Sequence, residues 1–314
     1  MIGIVYKSPG SWYFVKSKNG VFYQCRIKGK LRLKGIKSTN PIAVGDLVEF
    51  NLETVGDEQI GIISSIHERK NYIVRKSVNL SKQTHIIASN IDIAFLLITI
   101  DNPPTLTTFI DRFLVAAEAY SIQVILVFNK IDTYQKEQES EMKHLRKIYE
   151  DIGYTCLGIS AIKKKNLISV KELMKGKTCV FSGHSGVGKT TLINAIEDGL
   201  NLKTKEISYQ HQQGQHTTTF AEMFDLRFNA RIIDTPGIKG FGVVDIEKEE
   251  LGDYFVEFFK LKSQCKFHNC IHLNEPQCAV KQALKDKRIS KSRYKSYLQI
   301  LQGGDEDYRT DIFE

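Results

Sequence analysis

The stretch Gly183, His184, Ser185, Gly186, Val187, Gly188, Lys189 and Thr190 is where residue types and spacing point most directly to chemistry. It fits G-x-x-x-x-G-K-[ST], a loop that cradles phosphates. Residues 178–181 before it form a short apolar strand, and 191–196 after it read as a helix. The glycines let backbone N–H groups turn inward at that helix N-terminus. Lys189 then places its ammonium at β- and γ-phosphates, Thr190 offers a hydroxyl to Mg²⁺, and Thr191 completes the cradle.

A second constellation selects a base. Asn129, Lys130, Ile131 and Asp132 match N-K-x-D directly after an apolar strand at 124–128. The Asp132 carboxylate can accept both the N1–H and the 2-amino hydrogens of guanine, a pairing that adenine does not supply. Such a charge-assisted contact discriminates by roughly 1–3 kcal/mol or more, because the wrong base leaves the carboxylate desolvated and unpaired. Asn129 and Lys130 brace the pocket, and the backbone of Ser160 and Ala161, after a strand at 155–159, meets the base edge. These residues specify GTP rather than ATP.

Downstream, Gly214 to Thr219 has the character of a first switch, and Asp234, Thr235, Pro236 and Gly237 close the strand at 231–233 as a second switch does. Thr190, Thr218 and Asp234 form the expected Mg²⁺ set, and the Gly237 N–H faces the γ-phosphate. Ras-like enzymes usually orient the attacking water with a glutamine after that glycine; here the position is Ile238, with no polar atom. His216 is the candidate to supply the missing group, since imidazole can hydrogen-bond a water near neutral pH. Its alternative role is to order the loop on RNA.

The motifs come in an unusual order. In Ras-like GTPases the phosphate loop is first and the base motifs last, whereas here Asn129 to Asp132 and Ser160 to Ala161 precede Gly183. The domain therefore reads as circularly permuted, with whatever follows residue 240 tethered to the second switch.

The elements that must hold these motifs alternate strand and helix from 91 to 233, which predicts an α/β domain with a parallel sheet. Residues 1 to 70 read instead as short strands, at 2–6, 12–16, 21–27, 46–51 and 60–66, and predict a small OB-like β-barrel. The expected division is a barrel at 1–70, a permuted GTPase domain at 71–242 and a mainly helical zinc-binding domain at 243–314. The 314 residues carry 44 Lys and Arg against 36 Asp and Glu, and the excess is segregated. No acidic residue precedes Asp46, while nine Lys and Arg do; Lys281, Lys285, Lys287, Arg288, Lys291, Arg293 and Lys295 face only Asp286. Charge gathered at both ends points to nucleic acid. Trp12, Tyr13, Phe14, Phe22 and Tyr23 lie among the early basic residues, either as RNA contacts or as barrel filling. No apolar run reaches membrane-spanning length, and residues 1–7 lack signal-peptide character, so no membrane association and a cytoplasmic location are expected.

Cys265, Cys270, His272 and Cys278 are spaced C-x₄-C-x-H-x₅-C, a set that can close tetrahedrally on one structural Zn²⁺. His268 lies between them as the alternative ligand to His272. Cys25, Cys156 and Cys179 fall in strand-like segments and read as buried.

With these residues in hand, the chain resembles the circularly permuted small-ribosomal-subunit GTPases of bacteria, the RsgA type, also called YjeQ or YloQ. The resemblance spans nearly the whole chain and favours His272 over His268 as the ligand. It implies a factor, expected as a monomer, that binds the small subunit and its ribosomal RNA late in assembly. It also implies GTP hydrolysis stimulated by that subunit and associated with release. The alternative is an RNA-binding scaffold whose nucleotide is a structural ligand.

Overall fold

A computed structural model of the chain describes residues 1–27, 41–55, 58–76, 84–197, 200, 221–234 and 246–303. Five strands close the N-terminal barrel: β1 (Ile2–Lys7), β2 (Tyr13–Ser17), β3 (Phe22–Ile27), β4 (Leu47–Val55) and β5 (Glu58–Ile66). They pair in the order β1-β2-β3-β5-β4, and β4 returns to β1. Closure leaves no edge within the ring, and alternation sends Val5, Tyr13, Val15, Cys25, Val48, Phe50 and Ile63 inward. Gly61 permits this filling, because a Cβ there would stand 2.3 Å from the Cys25 sulfur.

A two-stranded hairpin, β6 (Tyr72–Lys76) with β7 (Thr84–Ser89), follows the barrel; the sequence had not shown it. Beneath it Asp46, fully buried, accepts from Arg69 through both carboxylate oxygens at 2.6 Å and from Ser89 Oγ at 2.6 Å. The hairpin and the barrel are thereby tied at one buried carboxylate.

The central sheet runs β10 (Thr155–Gly158), β9 (Gln123–Phe128), β8 (Ile93–Ile98), β11 (Thr178–Ser182), β13 (Ala230–Asp234) and β12 (Glu222–Leu226). All pair in parallel except β12, which is antiparallel to β13. Every residue of β8 is buried, as expected of a strand covered on both faces. Ala94, Leu96 and Ile98 pack under α1 (Thr107–Ala119) and α2 (Lys136–Ile152), while Ile93, Phe95 and Leu97 pack under α3 (Leu167–Met174) and α4 (Lys189–Ile196). Parallel pairing makes β8, β9, β10, β11 and β13 end on one edge, where ligands of open α/β sheets bind.

The barrel does not stand apart. β1 pairs with β12 at Lys7 and Glu222, so the two sheets are continuous. The C-terminal region is helical, with a 3₁₀ turn at Leu251–Tyr254, α5 (Val256–Lys262), α6 (Ala279–Lys285) and α7 (Lys291–Leu301), around Phe255, Phe258, Val280 and Tyr297. Among the described residues no helix is long and apolar enough to cross a membrane.

Candidate functional site

The phosphate loop leaves β11 and enters α4 through Gly188, whose φ of +94° is costly for any residue with a Cβ. A Cβ there would also lie 2.5 Å from the Asn129 amide nitrogen. Gly183, at φ +140°, approaches Leu97 so closely that a Cβ would stand 2.7 Å from its carbonyl oxygen. Val187 anchors the loop in the core, whereas Ser185 and Gly186 are exposed at its tip. Lys189 donates to the carbonyls of Gly183 at 2.6 Å and His184 at 2.7 Å, which holds its ammonium across the loop. Thr190 and Thr191 sit half-buried in the first turn of α4, and the His184 ring packs tilted against Phe109, centroids 3.7 Å apart.

Asn129 joins this loop to the base motif. Its buried side chain donates to the Val187 carbonyl at 2.8 Å and accepts from the Ala161 N–H at 3.0 Å. Three segments far apart in sequence thus meet at one amide. Lys130 turns the chain with φ +64° and its ammonium donates to the Asn102 carbonyl, while Asp132 is exposed at the tip. Burial lowers the Lys130 pKa from its ordinary value; Asp101 and Asp132 oppose that shift. Ser160 is buried and accepts from the Lys163 N–H at 3.0 Å, which closes the turn bearing Ala161. Lys163, Lys164 and Lys165 are exposed. Asp234 ends β13 on the same edge. His216, Thr218 and Gly237 lie outside the described residues, as does most of both switches.

Cys265, Cys270, His272 and Cys278 converge, with their ligand atoms all within 4.8 Å of one another. His272 presents Nδ1, at 3.4 Å from the Cys278 sulfur and 3.8 Å from that of Cys265. Three thiols converging with one imidazole form a donor set suited to a cation that favours thiolate. The turns that carry the ligands are braced as well. Glu275 accepts from the Ile271 and Leu273 N–H groups at 2.9 and 2.7 Å, and Tyr294 donates to the His272 carbonyl at 2.8 Å. His268 is exposed and outside the cluster.

The early aromatic residues divide between the two roles left open by the sequence. Tyr13 is buried and Tyr23 packs on Phe50, so both fill the barrel. Trp12, Phe14 and Phe22 lie on the outer face, where Arg26 stacks 3.8 Å from the Trp12 ring centre and the Lys16 ammonium lies 5.4 Å from that of Phe22. The basic C-terminal segment is corrected at one position. Arg293 does not face solvent: it is 1% exposed and donates to Asp111 and Glu257, because α7 packs on α1 and α5 there.

A sheet of this order with a phosphate loop at its centre, and a base turn that precedes that loop in the chain, defines a circularly permuted GTPase. The comparisons agree. The RsgA GTPase family model matches residues 66–244, and the RsgA N-terminal domain model matches 2–63. The chain belongs to the RsgA GTPase family. It is 66% identical to the small ribosomal subunit biogenesis GTPase RsgA of Christiangramia forsetii over 100% of both chains. It is 52% identical to that of Bacteroides fragilis over 98% of both. Among solved structures it is similar to YjeQ from Thermotoga maritima, with a TM-score of 0.79, 33% identity and 96% and 97% of the two chains covered. It is also similar to YloQ, described as a circularly permuted GTPase, with a TM-score of 0.73, 30% identity and 96% and 94% covered.

Proposed function

We propose that this chain hydrolyses GTP at the Gly183 to Thr191 loop and acts on the small ribosomal subunit late in its assembly. The observation that carries the GTP site is the Asn129 side chain, which spans the phosphate loop and the Ala161 turn as a base pocket requires despite the permuted order. In this pocket Asp132 selects guanine, Lys130 flanks the base, and the Ser160–Ala161 backbone and Lys189 meet base and phosphates respectively. Thr190, Asp234 and Thr218 would hold Mg²⁺, which would supply charge neutralisation at the phosphates. The hard oxygen donors of Thr190 and Asp234 suit that ion.

The subunit enters through the family's relatives, whose names specify small-subunit biogenesis. The outward Trp12–Arg26 stack supports ribosomal RNA as the surface contacted. The chain acts in the cytoplasm as a monomer, divided at about residues 70 and 242. Zn²⁺ in the Cys265, Cys270, His272 and Cys278 set holds the C-terminal domain in shape. On the subunit, His216 orients the attacking water.

Phosphate release with and without separated small subunits tests the whole reading. Stimulation by the small subunit alone is expected, together with a loss of roughly tenfold or more in stimulated rate for His216→Ala, at least ~1.4 kcal/mol of barrier. Absence of phosphate release above background at saturating subunit would favour the scaffold instead. Full stimulation of His216→Ala would remove the histidine from catalysis.

A further inference from the structure

Tyr134 lies two residues beyond Asp132, outside the N-K-x-D motif. Its hydroxyl makes two directed bonds: it accepts from the Ile100 N–H at 3.0 Å and donates to the Asn129 carbonyl at 2.6 Å. The ring packs half-buried against the core under β8 and β9. Burial raises the phenol above its ordinary value, so the proton needed for the bond to Asn129 stays on at neutral pH.

What the hydroxyl holds is a turn between two parts of the nucleotide site. Residues 100–103 leave the end of β8; Asn102 accepts from the Lys130 ammonium, and a Cβ at Gly186 would lie 3.4 Å from Pro103. This turn therefore touches the base motif on one side and the phosphate loop on the other. Lys130, held at φ +64°, is the joint between them, and its two neighbours in the motif are Asn129 and Ile131. Fixing the Asn129 carbonyl fixes the direction in which the chain leaves toward Asp132.

We propose that Tyr134 is a positioning residue for guanine recognition: by bridging Ile100 to Asn129 it sets the angle at which the Asp132 carboxylate meets the base. The assignment rests on the guanine pocket proposed above. Tyr134 itself touches neither base nor phosphate; it acts through the backbone of Asn129. Its loss should then weaken recognition of the base edge more than recognition of the phosphates.

Tyr134→Phe removes one oxygen from a half-buried ring and leaves the packing in place. GDP and inosine diphosphate, which lacks the 2-amino group, are to be titrated against mant-GDP on the full chain. The variant is expected to bind GDP about fivefold more weakly, the scale of one net hydrogen bond. Inosine diphosphate should be weakened less, since it has only one of the two contacts to lose, and the preference for GDP should narrow. Lys189→Ala, acting on phosphate, should weaken both ligands by the same factor. Amide exchange at Ile100 should accelerate in Tyr134→Phe while that of residues 93–98 is unchanged. An unaltered ratio of GDP to inosine diphosphate affinity in Tyr134→Phe overturns the positioning role. A parent protein that binds the two equally instead overturns the guanine pocket on which the role rests.

Discussion

Arg293 and Asp111 meet at 2.8 Å across 182 residues of sequence, both fully buried. The guanidinium also holds Glu257 through Nε at 2.7 Å and Nη2 at 2.9 Å, and Tyr149 donates to the Asp111 oxygen at 2.8 Å. Burial opposes the Arg293 charge, yet Asp111 and Glu257 more than offset it and keep the group protonated. One cation thus fastens α7 and α5 to α1, whose first turn reaches the phosphate loop at Phe109 and His184.

Arg293→Ala leaves two carboxylates buried without a cation, which costs about 3–5 kcal/mol. The C-terminal helices should detach from α1, with proteolysis appearing near residues 246–262 before global unfolding. Scanning calorimetry with limited proteolysis checks this. A single unshifted transition would show that the network does not hold the domain.

Metal removal should act on the same region by a different route. His272 packs against Phe258 at 5.8 Å between ring centres, and Tyr297 donates to the Ile271 carbonyl at 2.5 Å, so loss of the knuckle loosens the core beside it. Chelation, or Cys270→Ser, should lower the melting transition of residues 246–303 and leave GDP affinity within about twofold, as expected of separate sites. Atomic absorption of the fresh protein should find one zinc per chain. Protein that is folded and zinc-free defeats the expectation.

At the base pocket, Asp132→Asn presents a donor where guanine needs an acceptor. GDP affinity should fall at least tenfold, about 1.4 kcal/mol, and xanthosine diphosphate affinity should rise. Competition binding checks both, and undiminished GDP affinity would remove Asp132 from the base edge.

The motif residues were legible because each constellation is local: the phosphate loop, N-K-x-D and the cysteine knuckle each fit within fourteen residues. The five barrel strands and the parallel sheet followed from alternation and from apolar runs. What the sequence hid depends on distant partners. Arg293 looked like one more surface charge in a basic segment, and only folding brings Asp111 to it. Asp46, Tyr134 and Asp225 have ordinary local contexts, and their meaning lies in Arg69, Ile100 and Lys16. The β6–β7 hairpin escaped because its strands are short and depend on each other. The same folding also limits deletion experiments: residues 1–37 contain β1, β2 and β3, so their removal opens the barrel, and RNA affinity is better probed at exposed Lys18 and Arg26.

Asp225 joins the barrel to the central sheet. It accepts from Tyr6 at 2.7 Å and from Lys16 at 2.5 Å, and it lies opposite Arg231 in the β12–β13 hairpin, whose other end pairs Glu222 with Asp234. The proposed Mg²⁺ residue and the barrel contact thus lie on the same pair of strands. Burial works against the Asp225 charge, but the bonds from Lys16 and Tyr6 prevail and hold its pKa below the ordinary 3.8. A carboxylate with a depressed folded pKa contributes stability that is present above its unfolded value and lost as pH falls through the folded one. Contact between β1 and β12 should accordingly be intact near neutral pH and weaken below about pH 3.8. Asp225→Asn keeps the Tyr6 bond and loses the charge, so its β1 and β12 amides should exchange faster at pH 7 and show a flatter response to acid. GDP affinity should be unchanged, since no base or phosphate residue is touched, while the difference in small-subunit affinity between GDP and a nonhydrolysable GTP analogue should shrink. Parental exchange rates at β1 in Asp225→Asn would show that the strand pairing alone carries the junction.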